Sequence, residues 1–282
     1  MSALTDPFHL PYMARALTEL VVLGGAGGVV GTFVMLRRLA YVADALTHTV
    51  FPGVVIGFAV GAADGVFWGA LLAGLATAVL LTGLTRAPRV SDDTALTVLL
   101  TAMFGLGVIL VTRQHDYHHD LTAFLFGQVL TVTWADVLQS SLLAAGCLLA
   151  LSFLGPHLTL RAFDPEGARA MGYRTGLLDL ALNVVIALVV VAAVRSVGTV
   201  LVIALLILPA AFGRALSHRV PVIAAAGAAF GALCGWLGLA AGYHASVGYG
   251  LPLAAGPAVV LLMASGYALA LGGTAMRKAH RA

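Results

Sequence analysis

Tyr41-Val-Ala-Asp-Ala-Leu-Thr-His-Thr-Val-Phe-Pro-Gly-Val-Val-Ile-Gly-Phe-Ala-Val-Gly61 is an apolar run broken by one carboxylate and one imidazole, Asp44 and His48. Four residues make about one turn of an α-helix, so both side chains project from the same face. The run is close to the ~20 residues that carry a helix across the hydrocarbon core of a bilayer. An ionisable group at that depth is costly and marks a functional site by default. Together the two offer an oxygen and a nitrogen to a divalent cation. Pro52, one turn on, kinks the span or frees a carbonyl beside the pair. A buried Asp–His hydrogen bond joining two helices fits the same residues, and chemistry alone leaves both readings open.

The rest of the chain repeats the apolar pattern. Its 282 residues are 61% hydrophobic and 10% charged, with a mean hydropathy of +1.01. Soluble domains carry roughly a quarter charged residues, which excludes a water-soluble fold. Strand-like alternation is absent. The expected class is all-α, a polytopic membrane protein with about eight or nine transmembrane helices forming a single domain over residues 1–282. Candidate spans are 14–36, 41–61, 65–85, 94–112, 134–154, 177–195, 199–213, 220–241 and 254–273. Leu121 to Leu130 is too short to cross alone and reads as a re-entrant or interfacial piece.

The basic residues orient this layout. With the N-terminus outside, twelve of the 15 fall on the inner side: Arg37, Arg38, Arg86, Arg89, Arg161, Arg169, Arg174, Arg214, Arg219, Arg277, Lys278 and Arg281. Arg15, Arg113 and Arg195 fall outside. This asymmetry satisfies the positive-inside rule and puts the C-terminus in the cytoplasm. The net charge of +3 comes from these flanking arginines, so it implies no nucleic-acid partner. Arg15 opens the first run without a basic leader before it, so a cleaved signal peptide is not expected. Cys147 and Cys234 form no CxxC pair and read as small core residues. Glycine clusters such as Gly24-Gly25-Ala-Gly27-Gly28 read as close helix contacts.

Two polar segments stand apart. Arg113-Gln-His115-Asp116-Tyr-His118-His119-Asp120 lies in an outer loop, 113–120, where His115, His118 and His119 form an accessory metal-collecting cluster or a plain solvated loop. The inner connection 155–176 contains Phe163-Asp-Pro-Glu-Gly-Ala-Arg-Ala-Met-Gly172. There Asp164 suits an N-cap, Pro165 and Glu166 the first turn, and Gly172 the stop. A short cytoplasmic helix follows, suited to docking a soluble subunit. Asp179, His157, His218 and His244 receive no role. No His-Glu-x-x-His, Gly-x-Ser-x-Gly or phosphate-loop motif occurs, so no catalytic residues and no enzyme activity are expected.

The stretch Met35-Leu-Arg-Arg-Leu-Ala-Tyr-Val-Ala-Asp-Ala-Leu-Thr-His-Thr-Val-Phe-Pro-Gly53 resembles the signature of permease subunits of bacterial zinc/manganese/iron ABC importers. That family shows Gly-Asp-Ala-Leu-Ser-His-Ala and a Pro-Gly; Ala43 and Thr47 replace its usual Gly and Ser. Ala123-Phe-Leu-Phe-Gly127, Phe163 through Gly172, and Val197-Gly through Leu208-Pro-Ala-Ala211 continue the resemblance in order. It implies a multi-pass subunit of the bacterial plasma membrane, paired with a second permease copy. It also implies cytoplasmic ATPase subunits and an extracytoplasmic metal-binding protein. Asp44 and His48 match the family's membrane metal site, with zinc, manganese or iron as the transported ion and no resident cofactor. Phe163, Asp164, Pro165, Glu166 and Gly172 match the region that couples to the ATPase. Nothing carries over to the His-rich loop. A proton-coupled secondary transporter is the alternative, in which the pair would exchange protons for metal; its usual inverted repeats are not visible here. A structural anchor leaves the Asp–His pair without a purpose.

Overall fold

The computed structural model describes residues 6–87, 90–112, 127–250 and 254–279. Lipid offers no partner for backbone N–H and C=O groups, so apolar segments of this length close their hydrogen bonds internally as helices. Among the described residues nine result: α1 Pro11–Leu36, α2 Ala40–Thr49, α3 Phe51–Leu84, α4 Asp92–Thr112, α5 Trp134–Phe163, α6 Pro165–Ala170, α7 Thr175–Leu216, α8 Val220–Tyr249 and α9 Ala255–Ala279. No strand occurs among the described residues.

Among the described residues eight spans are long and apolar enough to cross a membrane. The nine expected runs fall on these eight. Helix α3 breaks at Gly61 and Ala62, where Ala62 takes φ 50°, so it supplies the end of the span Ala40–Ala62 and all of Asp64–Leu84. The expected spans 177–195 and 199–213 both lie in α7, whose 42 residues are interrupted at Gly198 with φ 76° and ψ 164°. At ~1.5 Å per residue that helix would be about 63 Å long, twice the hydrocarbon thickness. The left-handed glycine is where such a length must divide.

A second difference concerns the inner connection. Residues 155–163, expected in a loop, continue α5 through Pro156. Proline removes one N–H and clashes with the preceding turn, yet the helix runs on through Pro156 to Phe163.

The chain divides into two compact units. The first takes the described residues of Met1–Met35, Thr122–Ala145 and Ala192–Ala282. Here α1 lies directly on neighbouring backbones: a Cβ at Gly24 would meet the Gly231 carbonyl carbon at 2.6 Å, and one at Gly27 the Leu205 carbonyl oxygen at 2.7 Å. Residues 196–210 run parallel to α1, since Ser196 bonds Glu19 while Leu205 and Leu206 face Gly27 and Gly31. The second unit takes the described residues of Leu36–Leu121 and Gly146–Val191. There Asn183 donates to the Thr82 hydroxyl at 3.0 Å and Val191 packs on Gly74, so the first part of α7 runs antiparallel to Asp64–Leu84.

Candidate metal site and its surroundings

The span carrying Asp44 and His48 is held by a glycine crossing. Gly53 and Gly57 on one side meet Gly69 and Gly65 on the other, and a Cβ at any of the four would strike the opposing backbone. Small residues at this spacing let two helices approach to backbone contact. Helix α2 also packs against α4, where Gly107 leaves room for the Phe51 ring. Val42, Ala43, Ala45, Leu46, Thr47 and Thr49 are all buried by this packing.

What remains uncovered is one stripe. Tyr41, Asp44, His48, Ile56 and Val60 recur at helical spacing, with Asp44 44% and His48 29% exposed in their side chains. His48 Nε2 stands 3.8 Å from Asp44 Oδ1. That is too long for a hydrogen bond, so the Asp–His bond of the alternative reading is not formed between these two side chains. Two ligands about 2.1 Å from one ion stand roughly 3.0–3.5 Å apart, so a small side-chain adjustment brings both onto one cation. The Phe104 ring meets the imidazole edge-on, centroids 6.1 Å apart, and fixes one side of it. Pro52 has no N–H for the His48 carbonyl one turn before it, leaving that oxygen without its usual helical donor.

Among the described residues no group of three or more His, Cys, Asp or Glu side chains converges. Alone, Asp44 and His48 could offer an ion two side-chain ligands, one oxygen and one nitrogen. His115, His118 and His119 lie outside the described residues.

The second expected feature is built as its sequence dictates. Asp164 caps α6, its Oδ1 accepting from the Gly167 N–H at 2.8 Å, and Pro165 opens the helix. At the other end the Gly172 N–H reaches the Arg169 carbonyl at 2.9 Å, and the Tyr173 N–H reaches that of Ala168 at 3.0 Å. Gly172, at φ 83°, makes this reversal, the paired closure of a helix by a left-handed glycine. Ala168 is buried, while Phe163, Asp164, Pro165, Glu166 and Met171 are exposed.

Two polar clusters were not anticipated. Glu19, the only carboxylate in the run 14–36, is fully buried, and its two oxygens accept from the hydroxyls of Ser140 at 2.6 Å and Ser196 at 2.7 Å. The lone Glu in an apolar run was the available signal; its serine partners lie far away in sequence. Asp179 binds two guanidiniums, Arg37 at 2.7 Å through Oδ1 and Arg161 at 3.1 Å through Oδ2. Each of these arginines reads singly as a membrane-flanking charge, so their convergence was hidden.

Residues 9–272 match the model of the ABC 3 transport family. The chain is 37% identical over 259 residues to the manganese transport system membrane protein MntC of Halalkalibacterium halodurans, covering 92% of this chain and 86% of that one. It is 32% identical over 208 residues to the chelated iron transport system membrane protein YfeD of Yersinia pestis, covering 74% and 69%. Among solved structures it resembles a chain of PsaBC from Streptococcus pneumoniae in complex with Fab, with a TM-score of 0.81 at 31% identity, covering 95% and 94%.

Proposed function

This chain belongs to the ABC 3 transport family, and from that premise we propose that Asp44 and His48 form half of the site through which it passes a divalent transition metal. The chain is the membrane permease of an ABC importer for such an ion, and ATP is hydrolysed on a separate subunit. Residues 1–282 act as one permease domain.

The observation that carries the site is the uncovered stripe. A span otherwise packed on its neighbours leaves bare the face that bears its only carboxylate and its only imidazole. A second copy of the permease set against this stripe about a two-fold axis brings two carboxylates and two imidazoles together. Two carboxylates neutralise one divalent cation, which lowers the cost of holding it away from water. Mixed oxygen and nitrogen donors suit manganese, iron(II) and zinc. Manganese is the ion we put first, because the proteins named for manganese transport are among those this chain resembles.

The exposed apolar and acidic side chains around α6 support docking of that short helix into the ATPase subunit. An extracytoplasmic binding protein delivers the ion on the opposite side. Counting α7 as two crossings divided at Gly198 gives nine among the described residues, an odd number that leaves the termini on opposite sides; the arginine distribution supports the N-terminus outside and the C-terminus in the cytoplasm.

The test is metal uptake by vesicles holding the assembled transporter. Asp44→Asn keeps the side-chain shape and removes its charge, so uptake falls sharply while assembly and ATP binding persist. Wild-type uptake by Asp44→Asn combined with His48→Ala would sink the site.

A further inference from the structure

In the second unit, where several helices end or begin at one level, the structure holds a cavity of about 760 Å³. Its lining carries five guanidiniums, those of Arg37, Arg86, Arg161, Arg169 and Arg174. Only two carboxylates offset them, Asp179 and Asp92.

The charges are arranged in two tiers. At the floor, Asp179 is consumed by Arg37 and Arg161, whose side chains are 16% and 15% exposed. The Arg161 Nε is nevertheless buried without a hydrogen-bond partner. At the mouth, Arg86, Arg169 and Arg174 are exposed, and none has an ion-pair partner among the described residues. The Arg86 guanidinium lies against Gly176, at the first turn of α7, where a Cβ would displace it. That helix start adds the partial positive charge of unpaired N–H groups. Thr82, Thr85 and Asn183 complete the wall as neutral groups, the hydroxyls donating to the Ala78 and Thr82 carbonyls and the Asn183 amide to the Thr82 hydroxyl.

A cavity with this surplus of forked donors has the chemistry of an anion site. Guanidinium pairs phosphate bidentately, through two parallel N–H···O bonds. Basic pockets between spans, at the level of helix ends, suit phosphate-bearing head groups. The volume lies within the roughly 300–1,000 Å³ of small-molecule pockets, ample for a phosphate with its ester substituent. We propose that this cavity binds a phosphate group, supplied by an anionic phospholipid head group or by a free phosphate compound. Three of its arginines, Arg169, Arg174 and Arg86, border or touch the chain segment running from α6 into α7. Occupation therefore holds that segment, and the site acts as a positioning device for α6. The inference is independent of which ion is carried and of the Asp44–His48 assignment.

The experiment uses the assembled transporter in nanodiscs and reads binding, not transport. One arm places it in phosphatidylcholine containing a minority of phosphatidylglycerol and counts retained anionic lipid by native mass spectrometry. The other places it in phosphatidylcholine alone and titrates inorganic phosphate by calorimetry. Arg86→Gln with Arg174→Gln removes two unpaired guanidiniums from the mouth, and binding falls about tenfold or more. Arg214→Gln with Arg219→Gln removes equal charge outside the cavity and leaves binding unchanged. Arg86→Lys with Arg174→Lys keeps the charge without the fork and gives an intermediate value, which serves if the glutamine pair misfolds. Loss confined to the lipid arm assigns the head group as source, and loss in the phosphate arm assigns a free phosphate. Equal binding by wild type and the glutamine variant in both arms overturns the proposal. So does binding present in the isolated permease and abolished on assembly, which would give the cavity to a carboxylate of the ATPase subunit.

Discussion

Replacing Asp179 with Asn tests how the second unit is held together. The carboxylate gives one oxygen to Arg37 at 2.7 Å and the other to Arg161 at 3.1 Å. Asparagine keeps an oxygen for one arginine and turns an N–H₂ toward the other, so a donor faces a donor. Breaking a fully buried ion pair costs roughly 3–5 kcal/mol, because the partner is left as an uncompensated charge. An exposed pair is worth only about 0–1 kcal/mol. These side chains are 15–25% exposed, which places the loss at about 2–4 kcal/mol. Removing Arg37 by Arg37→Gln costs less, about 1–2 kcal/mol, since Arg161 retains the carboxylate. Adding Arg161→Met to Asp179→Asn recovers part of the loss by removing the stranded charge. The assay is thermal unfolding of the purified chain in detergent. At roughly 2–4 °C per kcal/mol, Asp179→Asn lowers the midpoint by about 4–16 °C. A shift below about 1 °C, or an equal shift for Arg37→Gln, would refute the reasoning.

The glycine crossing makes a paired prediction: Gly57→Ala drives a methyl into the Gly65 backbone and costs about 1–3 kcal/mol or more, whereas Gly61→Ala meets open space and leaves the melting midpoint unchanged. Glu19→Gln retains an acceptor for one serine and a reorientable partner for the other, so its midpoint stays within a few degrees of wild type. Glu19→Leu forfeits two buried hydrogen bonds, about 0.5–1.5 kcal/mol each, and thermal unfolding reads the difference. Ala168→Pro removes the N–H that donates to the Asp164 carbonyl at 3.1 Å. Transport per ATP hydrolysed then falls in proteoliposomes, while the midpoint of the spans holds.

Much of this architecture is legible in the chain because lipid simplifies the rules. Where every backbone group must bond internally, an apolar run of adequate length is a helix, so most spans were placed to within a few residues. Local chemistry was equally readable: Asp164, Pro165 and Gly172 each specify one position of a short helix, and all three occupy it. What escaped was long-range. Nothing near Glu19 in sequence announces Ser140 or Ser196, and nothing near Asp179 announces Arg37. The continuation of α5 past Pro156 also escaped, because the proline rule is local while the helix is kept by its surroundings. Asp44 and His48 were legible as a pair through their spacing. Their separation and their place on the one bare stripe of the span required coordinates.

The most direct measurement is the number of manganese ions held by the assembled transporter, counted by metal analysis after removal of free ion, together with the nitrogen coupling of bound manganese in electron paramagnetic resonance. The account predicts one ion for two permease chains, imidazole nitrogen in its coordination shell, and loss of both ion and coupling in Asp44→Asn with His48→Ala. One ion for each chain, or an ion retained undiminished by that double variant, would contradict it.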